Sequence, residues 1–151
     1  MIKKRNGKLL DKVYIVTGGA MGIGKSIVKL LVSKGFKVVI GDIADKEGKE
    51  LEKELNQFNK CAYFVHTDVT QSNEIKRLIE SAIEHFCHID GLVNNAGITI
   101  AKSTLDLSEE EWDLVINLNL KSTWLCSKYA IPYLSKRKGS AIVNVASSGG
   151  L

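Results

Sequence analysis

The sequence of 151 residues has a single proline, Pro132, and no stretch dominated by proline and glycine. A proline-rich linker is therefore excluded, and neither an internal repeat nor a low-complexity segment divides the chain. The length is sufficient for one domain with a substantial core. We expect a single domain over residues 1–151.

Cysteine is also scarce, and long apolar runs are absent. Cys61, Cys87 and Cys126 form no close-spaced motif and cannot all pair with one another, which favours a reducing compartment. No apolar run approaches membrane-spanning length, and residues 1–10 lack the hydrophobic core of a signal peptide. We expect a soluble, cytoplasmic protein that does not enter a membrane.

Charge is present but is not concentrated in one place. The net charge is +4, and 25% of the residues are charged against 44% that are hydrophobic. The basic clusters at residues 3–5 and 136–138 are short and contain no aromatic residues, so we interpret them as solvated surface. The spacing of His85, Cys87 and His88 fits no four-ligand metal pattern. We expect neither nucleic-acid binding nor metal binding.

Apolar, strand-like runs alternate with amphipathic helical stretches. Strands are predicted at residues 13–16, 37–41, 62–66, 91–93 and 141–145, and helices at 22–34, 45–58, 72–86 and 108–136. Residues 108–111, Ser-Glu-Glu-Glu, have the spacing of a capping box at the start of the last helix. Strands rich in valine and isoleucine, each followed by a helix, predict an α/β fold with a doubly wound, Rossmann-type parallel sheet between two helical layers. The expected strand order is 3-2-1-4-5.

A glycine-rich segment joins the first predicted strand to the first helix. Residues 17–24 read Thr-Gly-Gly-Ala-Met-Gly-Ile-Gly. Glycines at such a junction let the chain turn sharply, and the helix start offers N–H groups and a positive dipole to a phosphate. Gly18, Gly22 and Gly24 can divide three roles: the turn, close approach to a diphosphate, and tight helix–strand packing.

The second predicted strand leads to an acidic residue, Asp42, about 20 residues after the glycine turn. A carboxylate at that position can bind both hydroxyls of an adenosine ribose. It also repels a 2′-phosphate by about 1–3 kcal/mol, after allowance for solvent. No lysine or arginine stands at Met21 or directly after Asp42 to counter this repulsion. We therefore expect NAD rather than NADP.

Two further strand ends complete a set of motifs. Residues 67–70 read Thr-Asp-Val-Thr, and residues 94–97 read Asn-Asn-Ala-Gly, which alone is an ordinary turn sequence. With the glycine segment, and in this order over residues 8–151, the sequence resembles the compact, NAD-type branch of the short-chain dehydrogenase/reductase family. The resemblance implies that Asp68 and the Val69 backbone hold the adenine ring. The full set of implied cofactor contacts is Gly18, Ala20, Met21, Gly22, Ile23, Gly24, Asp42, Ile43, Asp68, Val69, Asn95, Ala96 and Gly97.

The resemblance also implies two catalytic residues. The fifth predicted strand leads to Ser147, whose hydroxyl can donate to a substrate carbonyl and polarise it for hydride attack; Ser148 is the alternative. In the last helix, alignment on Asn-Leu-Lys places the family's catalytic asparagine at Asn119, with Asn117 as the alternative. Asparagine is a poor residue inside a helix, and a local kink that holds a water for proton relay would explain its presence.

One part of the family's machinery is not found in the sequence. The acid–base tyrosine, followed by a lysine four residues later, lies beyond the serine strand in the family, and Tyr129 has no lysine at that spacing. We therefore expect an incomplete sequence that lacks this pair and the substrate loop, binds cofactor and turns over little. The expected whole enzyme is an NAD-dependent oxidoreductase, a dimer or tetramer, that interconverts a secondary alcohol and a ketone.

Two other functions fit part of these patterns. One is a catalytically inactive nucleotide-binding module, and a tyrosine–lysine pair soon after residue 151 would argue against it. The other is an S-adenosylmethionine-dependent methyltransferase, which also uses a glycine turn and an acidic residue at the end of the second strand. Ser147 and the Asn-Asn-Ala-Gly segment weigh against the methyltransferase.

Overall fold

The structure, a computed structural model, describes residues 11–147. Five strands form one parallel sheet in the order β3-β2-β1-β4-β5, which confirms the predicted topology. The strands are β1 (Val13–Thr17), β2 (Lys37–Asp42), β3 (Ala62–His66), β4 (Gly91–Asn94) and β5 (Ala141–Asn144). Their carboxyl ends meet at one edge of the sheet, where ligands bind in doubly wound folds.

The helices lie between the strands, and a π-helical segment, Asn117–Lys121, interrupts the last of them. The helices are α1 (Gly22–Ser33), α2 (Asp45–Leu55), α3 (Ser72–Phe86), α4 (Glu109–Ile116) and α5 (Ser122–Leu134). The predicted capping box is confirmed at the start of α4. Glu111 N–H donates to Ser108 Oγ at 3.2 Å, and Ser108 N–H donates to Glu111 Oε2 at 3.0 Å.

Two helices end or break where the sequence predicted continuity. The helix α2 stops at Leu55 rather than at residue 58 because the Asn56 side chain binds the start of β3. Asn56 Oδ1 accepts from Cys61 N–H and Ala62 N–H, both at 2.9 Å. The helix predicted over residues 108–136 is divided by the π-helical segment. This segment contains Asn119, where the sequence predicted a local distortion of the helix.

Helices cover both faces of the sheet and produce the predicted three layers. Because side chains alternate along a strand, Ile15 packs in a buried cluster with Leu78 of α3 and Leu125 of α5. The next residue, Val16, packs on the opposite face with Val28 of α1. Burial on both faces is typical of parallel sheets, and it fixes the strand ends that carry the site.

Along the described residues, no helix is long and apolar enough to cross a membrane. All three cysteines are free. Burial raises the pKa of the Cys126 thiol to about 12. The thiol therefore stays protonated and packs as a core residue, and it is not suited to act as a nucleophile.

Candidate functional site

The glycine turn is held between two strand ends. Gly18 N–H and Gly19 N–H donate to Gly41 O of β2, at 2.8 and 3.3 Å. On the other side, the Asn95 side chain, directly after β4, donates from Nδ2 to Thr17 O and Gly18 O, both at 3.0 Å. The turn is therefore fixed by β2 and β4 together.

Three glycines of the turn meet different surroundings. A Cβ atom on Gly18 would lie 2.9 Å from Ala96 Cα, and one on Gly24 would lie 1.9 Å from Gly18 O. Gly22 has a φ of +54°, and nothing lies within 4 Å of its Cβ position. Gly24 therefore has the predicted tight packing between helix and turn, whereas Gly22 leaves its side of the backbone open.

The start of α1 has no side-chain cap. Met21 is the N-cap residue, its side chain makes no capping hydrogen bond, and the first turn contains no acidic residue. Met21 and Ile23 are exposed. The first N–H groups of a helix have no partner within it, and the helix dipole makes this end positive. This 12-residue helix therefore presents N–H groups suited to an anion.

Thr17 joins the ends of β1 and β4, although the sequence did not single it out as a site residue. Its Oγ1 accepts from Asn95 N–H at 3.1 Å and from Ala96 N–H at 3.2 Å, and it donates to Val93 O at 3.5 Å. The available signal was a hydroxyl residue at the last position of a buried strand, directly before the glycines. Its role is to order the loop that contains Asn95 and Ala96.

Asp42 is the last residue of β2 and is 9% exposed. Its Oδ2 accepts from Ala20 N–H of the glycine turn at 2.9 Å, and its Oδ1 accepts from Ala44 N–H at 3.0 Å. A carboxylate has about four acceptor sites, so both oxygens can accept further donors. None of the ion pairs within residues 11–147 involves Asp42. The exposed Ile43 follows it.

Asp68 and Val69 follow β3 at the same edge of the sheet. Asp68 Oδ1 accepts from Thr70 N–H at 2.8 Å and from Thr70 Oγ1 at 2.7 Å. Asp68 N–H donates to Glu74 Oε2 at 2.7 Å. Val69 is 6% exposed and packs in the core on the α3 face. The loop is thus ordered by its own hydrogen bonds, next to the strand that carries Asp42.

The π-helical segment brings Asn119 to the loop after β4. Asn119 Oδ1 accepts from Ile98 N–H and its Nδ2 donates to Ile98 O, both at 2.9 Å. A Cβ atom on the neighbouring Gly97 would lie 3.2 Å from Asn119 Oδ1. Thr123 Oγ1 donates to Asn119 O at 2.9 Å. Asn117, the alternative position, is the first residue of the π-helical segment, and its main-chain carbonyl accepts from Ser122 N–H.

Ser147 follows β5 at the same sheet edge and is exposed. The strand β5 pairs with β4 in a register that places Asn144 opposite Asn94. Val145 N–H donates to Asn94 O at 2.9 Å and continues this pairing beyond the strand. Ser147 therefore leaves the sheet on the strand beside the one that leads to Asn95. Ser148, the alternative, lies outside the described residues.

A doubly wound parallel sheet with a glycine turn after its first strand defines the Rossmann class of domains. The family model described as short chain dehydrogenase matches residues 12–151. The chain belongs to this family of oxidoreductases. The match gives no support to the methyltransferase alternative.

Similar proteins cover almost the whole chain. An uncharacterized oxidoreductase of Thermotoga maritima is 39% identical over 140 residues, which are 93% of this chain and 55% of that protein. Cyclopentanol dehydrogenase of a Comamonas species is 37% identical over 145 residues, 96% of this chain and 58% of that one. The crystal structure of a short-chain dehydrogenase/reductase, glucose/ribitol dehydrogenase, from Brucella melitensis matches with a TM-score of 0.87 and 27% identity, over 92% of this chain and 58% of the other. The chain thus spans somewhat more than half the length of these proteins.

Proposed function

We propose that this chain is the cofactor-binding part of an NAD-dependent oxidoreductase that transfers a hydride between NAD(H) and a secondary alcohol or ketone. The observation that carries the proposal is the buried Asp42 carboxylate, which accepts from Ala20 N–H of the glycine turn at 2.9 Å. It lies beside the uncapped start of α1. A ribose diol suits the carboxylate, and a diphosphate suits the helix start.

The residues around the glycine turn fit a dinucleotide. No atom lies within 4 Å of the Gly22 Cβ position, so a diphosphate could approach the backbone there. Asp68 has Oδ1 bound to Thr70, and its Oδ2 would accept from the adenine amine. Asn95 and Ala96 would lie beside the adenosine ribose. When bound, the nicotinamide supplies the hydride chemistry.

Ser147 would orient and polarise the substrate oxygen. Both ends of the Asn119 amide bind Ile98, so any part in a proton relay would fall to its main-chain carbonyl, which accepts from Thr123 Oγ1 at 2.9 Å. The name of the similar cyclopentanol dehydrogenase supports the substrate class, because cyclopentanol is a secondary alcohol.

The proposal includes a homo-oligomer, either a dimer or a tetramer. Large apolar side chains are exposed along the helical region from α4 to α5. Trp112, Leu120, Trp124 and Ile131 are exposed to 57%, 64%, 57% and 51%. Exposed large apolar side chains are typical of protein–protein contacts, and a second copy of the complete protein is the partner we propose for them.

The variant Asp42→Ala is expected to lower the preference for NADH over NADPH by about 10- to 100-fold, equal to about 1.4–2.8 kcal/mol. NADH binding weakens because the ribose hydroxyls lose their acceptor. NADPH binding is spared because the charge that repels the 2′-phosphate is removed. Fluorescence titration of each reduced cofactor measures the two dissociation constants. Equal losses for both cofactors would remove the ribose role of Asp42.

Asp45→Ala is the matched control for this experiment. The Asp45 carboxylate lies at the start of α2, is exposed, and is 2.9 Å from His66 Nδ1. Removing this carboxylate is expected to leave the ratio of the NADH and NADPH dissociation constants within about twofold of the wild-type ratio, since exposed charges are strongly screened. S-adenosylmethionine is titrated in parallel. Tight binding of this compound without binding of NADH would overturn the proposed function.

A further inference from the structure

The first turn of α3 contributes a carboxylate to the loop after β3. Glu74 is the third residue of this helix, and Gln71 is its N-cap residue. In a capping box, a glutamate at this position accepts from the N–H group of the N-cap residue. Here Gln71 N–H donates instead to Asp68 O at 3.0 Å. Glu74 Oε2 reaches three residues further back along the chain and accepts from Asp68 N–H at 2.7 Å.

The bond between Asp68 N–H and Glu74 is suited to hold the main chain of this loop. The Glu74 side chain is only 22% exposed, and a hydrogen bond to an ionised carboxylate is about twice as strong as a neutral one. Arg77 adds a second tie, because its Nη2 donates to His66 O at 3.4 Å and lies 3.8 Å from Glu74 Oε2. More than half of the Arg77 side chain is exposed, so this ion pair adds little. Of the two ties, the bond to Glu74 is the stronger.

The Asp68 carboxylate is oriented by a different neighbour. Its Oδ1 accepts from Thr70 N–H at 2.8 Å and from Thr70 Oγ1 at 2.7 Å. Both bonds use Oδ1, and they leave the lone pairs of Oδ2 to accept from a ligand. Asp68 is thus held through its N–H group, its main-chain carbonyl and one carboxylate oxygen, so the position of Oδ2 depends on all three contacts.

We propose that Glu74 is a positioning residue for Asp68, and that it thereby sets the preference of the site for adenine over a purine with an oxygen at C6. Under the proposed function, Asp68 Oδ2 accepts from the exocyclic amine of adenine. Without Glu74, Asp68 N–H loses its acceptor, the loop shifts, and the carboxylate no longer faces the amine. The inference rests on the proposed function for the adenine contact of Asp68, and the bond at 2.7 Å makes this contact depend on Glu74.

Two reduced dinucleotides that differ in this one group test the inference. NADH carries adenine, and reduced nicotinamide hypoxanthine dinucleotide carries an oxygen in place of the amine. Fluorescence titration of the complete protein gives both dissociation constants. The wild type is expected to prefer NADH by at least about 10-fold, because the analogue places an acceptor against the carboxylate. Glu74→Ala is expected to lower this preference by about 5- to 10-fold, through weaker binding of NADH.

Glu74→Gln and Glu80→Ala are the matched controls. Glu74→Gln keeps an acceptor oxygen for Asp68 N–H, so the base preference should stay within about twofold of the wild type. Glu80→Ala removes the same charge from the same helix, where Glu80 pairs with Lys76 at 3.7 Å, and should also keep the preference within about twofold. Equal losses in Glu74→Gln and Glu74→Ala would assign the effect to charge rather than to the hydrogen bond, and would overturn the inference.

An Asp68→Ala background separates positioning of Asp68 from a general effect on the site. If Glu74 acts through Asp68, adding Glu74→Ala leaves the base preference of Asp68→Ala unchanged within about twofold. A further change in that background would overturn the inference, and so would a wild-type protein that binds both dinucleotides equally. Failure of the wild type to bind NADH would instead overturn the proposed function.

Hydrogen exchange gives a measurement that needs no ligand. The Asp68 amide is expected to exchange at least about 10-fold faster in Glu74→Ala than in the wild type, because its acceptor is removed. Glu74→Gln and Glu80→Ala should exchange there like the wild type. An unchanged exchange rate at Asp68 in Glu74→Ala would show that Glu74 does not hold this N–H group, and the inference would be wrong.

Discussion

Replacing Ser147 by alanine in the complete protein is expected to reduce kcat about 10²–10³-fold, while the dissociation constant of NADH changes less than about twofold. The expected loss is that of one hydrogen-bond donor to the oxygen on which charge develops. Ser147 is exposed beyond β5, on the strand beside the end of β4. The cofactor residues proposed at the glycine turn and at Asp42 are separate from it, so affinity should persist. Steady-state kinetics with secondary alcohols and a cofactor titration measure the two quantities.

Ser148→Ala is the control, because the sequence leaves this neighbouring serine as the alternative donor. If Ser147 is the donor, Ser148→Ala should keep kcat within about threefold of the wild type. A larger loss in Ser148→Ala than in Ser147→Ala would transfer the role to the neighbour. Full activity in both variants would show that another group binds the substrate oxygen.

The sheet and its ligand edge could be predicted because local sequence determines them. Val13 and Ile15, which alternate in β1, are buried on one face, and the glycine segment marks the point where the chain turns into α1. The predicted bounds of β3 and α3 agree with the structure at both ends. Short apolar runs rich in valine and isoleucine in the strands and helical spacing in α3 are properties of neighbouring residues, and the parallel order follows from right-handed crossovers.

The π-helical segment could be predicted only in part. A polar residue inside an apolar helix indicates a local irregularity, but the sequence left Asn119 and Asn117 as alternatives. In the structure the Asn119 side chain binds Ile98, which is 21 residues away in the chain. A bond over such a distance depends on how the helix packs against the loop after β4. Helical periodicity carries no information about that packing.

For other site residues, the sequence predicted the position along the chain but not the hydrogen-bond partners. Asp42 was predicted at the end of β2, yet its bond to Ala20 N–H depends on the exact approach of the glycine turn. Thr17 was missed as a site residue because its hydrogen bonds cross between strands. Residue type and position at a strand end give the edge of the sheet, and the side-chain contacts follow only from the assembled fold.

Gly24→Ala is expected to lower the free energy of unfolding by about 3 kcal/mol, the upper end of the usual cost of overpacking. Helix propensity alone predicts the opposite sign, because alanine stabilises a helix interior by about 1 kcal/mol relative to glycine. Steric repulsion should dominate here. The added Cβ would lie 1.9 Å from Gly18 O and 2.6 Å from Asn95 Nδ2. The first contact is with backbone, so relief requires that α1 move away from the turn.

Gly22→Ala provides the matched comparison within the same turn. Its Cβ would meet no atom within 4 Å, and its φ of +54° leaves only backbone strain, about 1–2 kcal/mol for a residue with a side chain. Urea denaturation of both variants should therefore rank Gly24→Ala below Gly22→Ala in stability. Under the proposed function both should lose NADH affinity, Gly22→Ala because a methyl group enters the open side of the turn. A Gly24→Ala protein as stable as the wild type would show that helix and turn can separate without cost, and the close packing assigned to this glycine would be wrong.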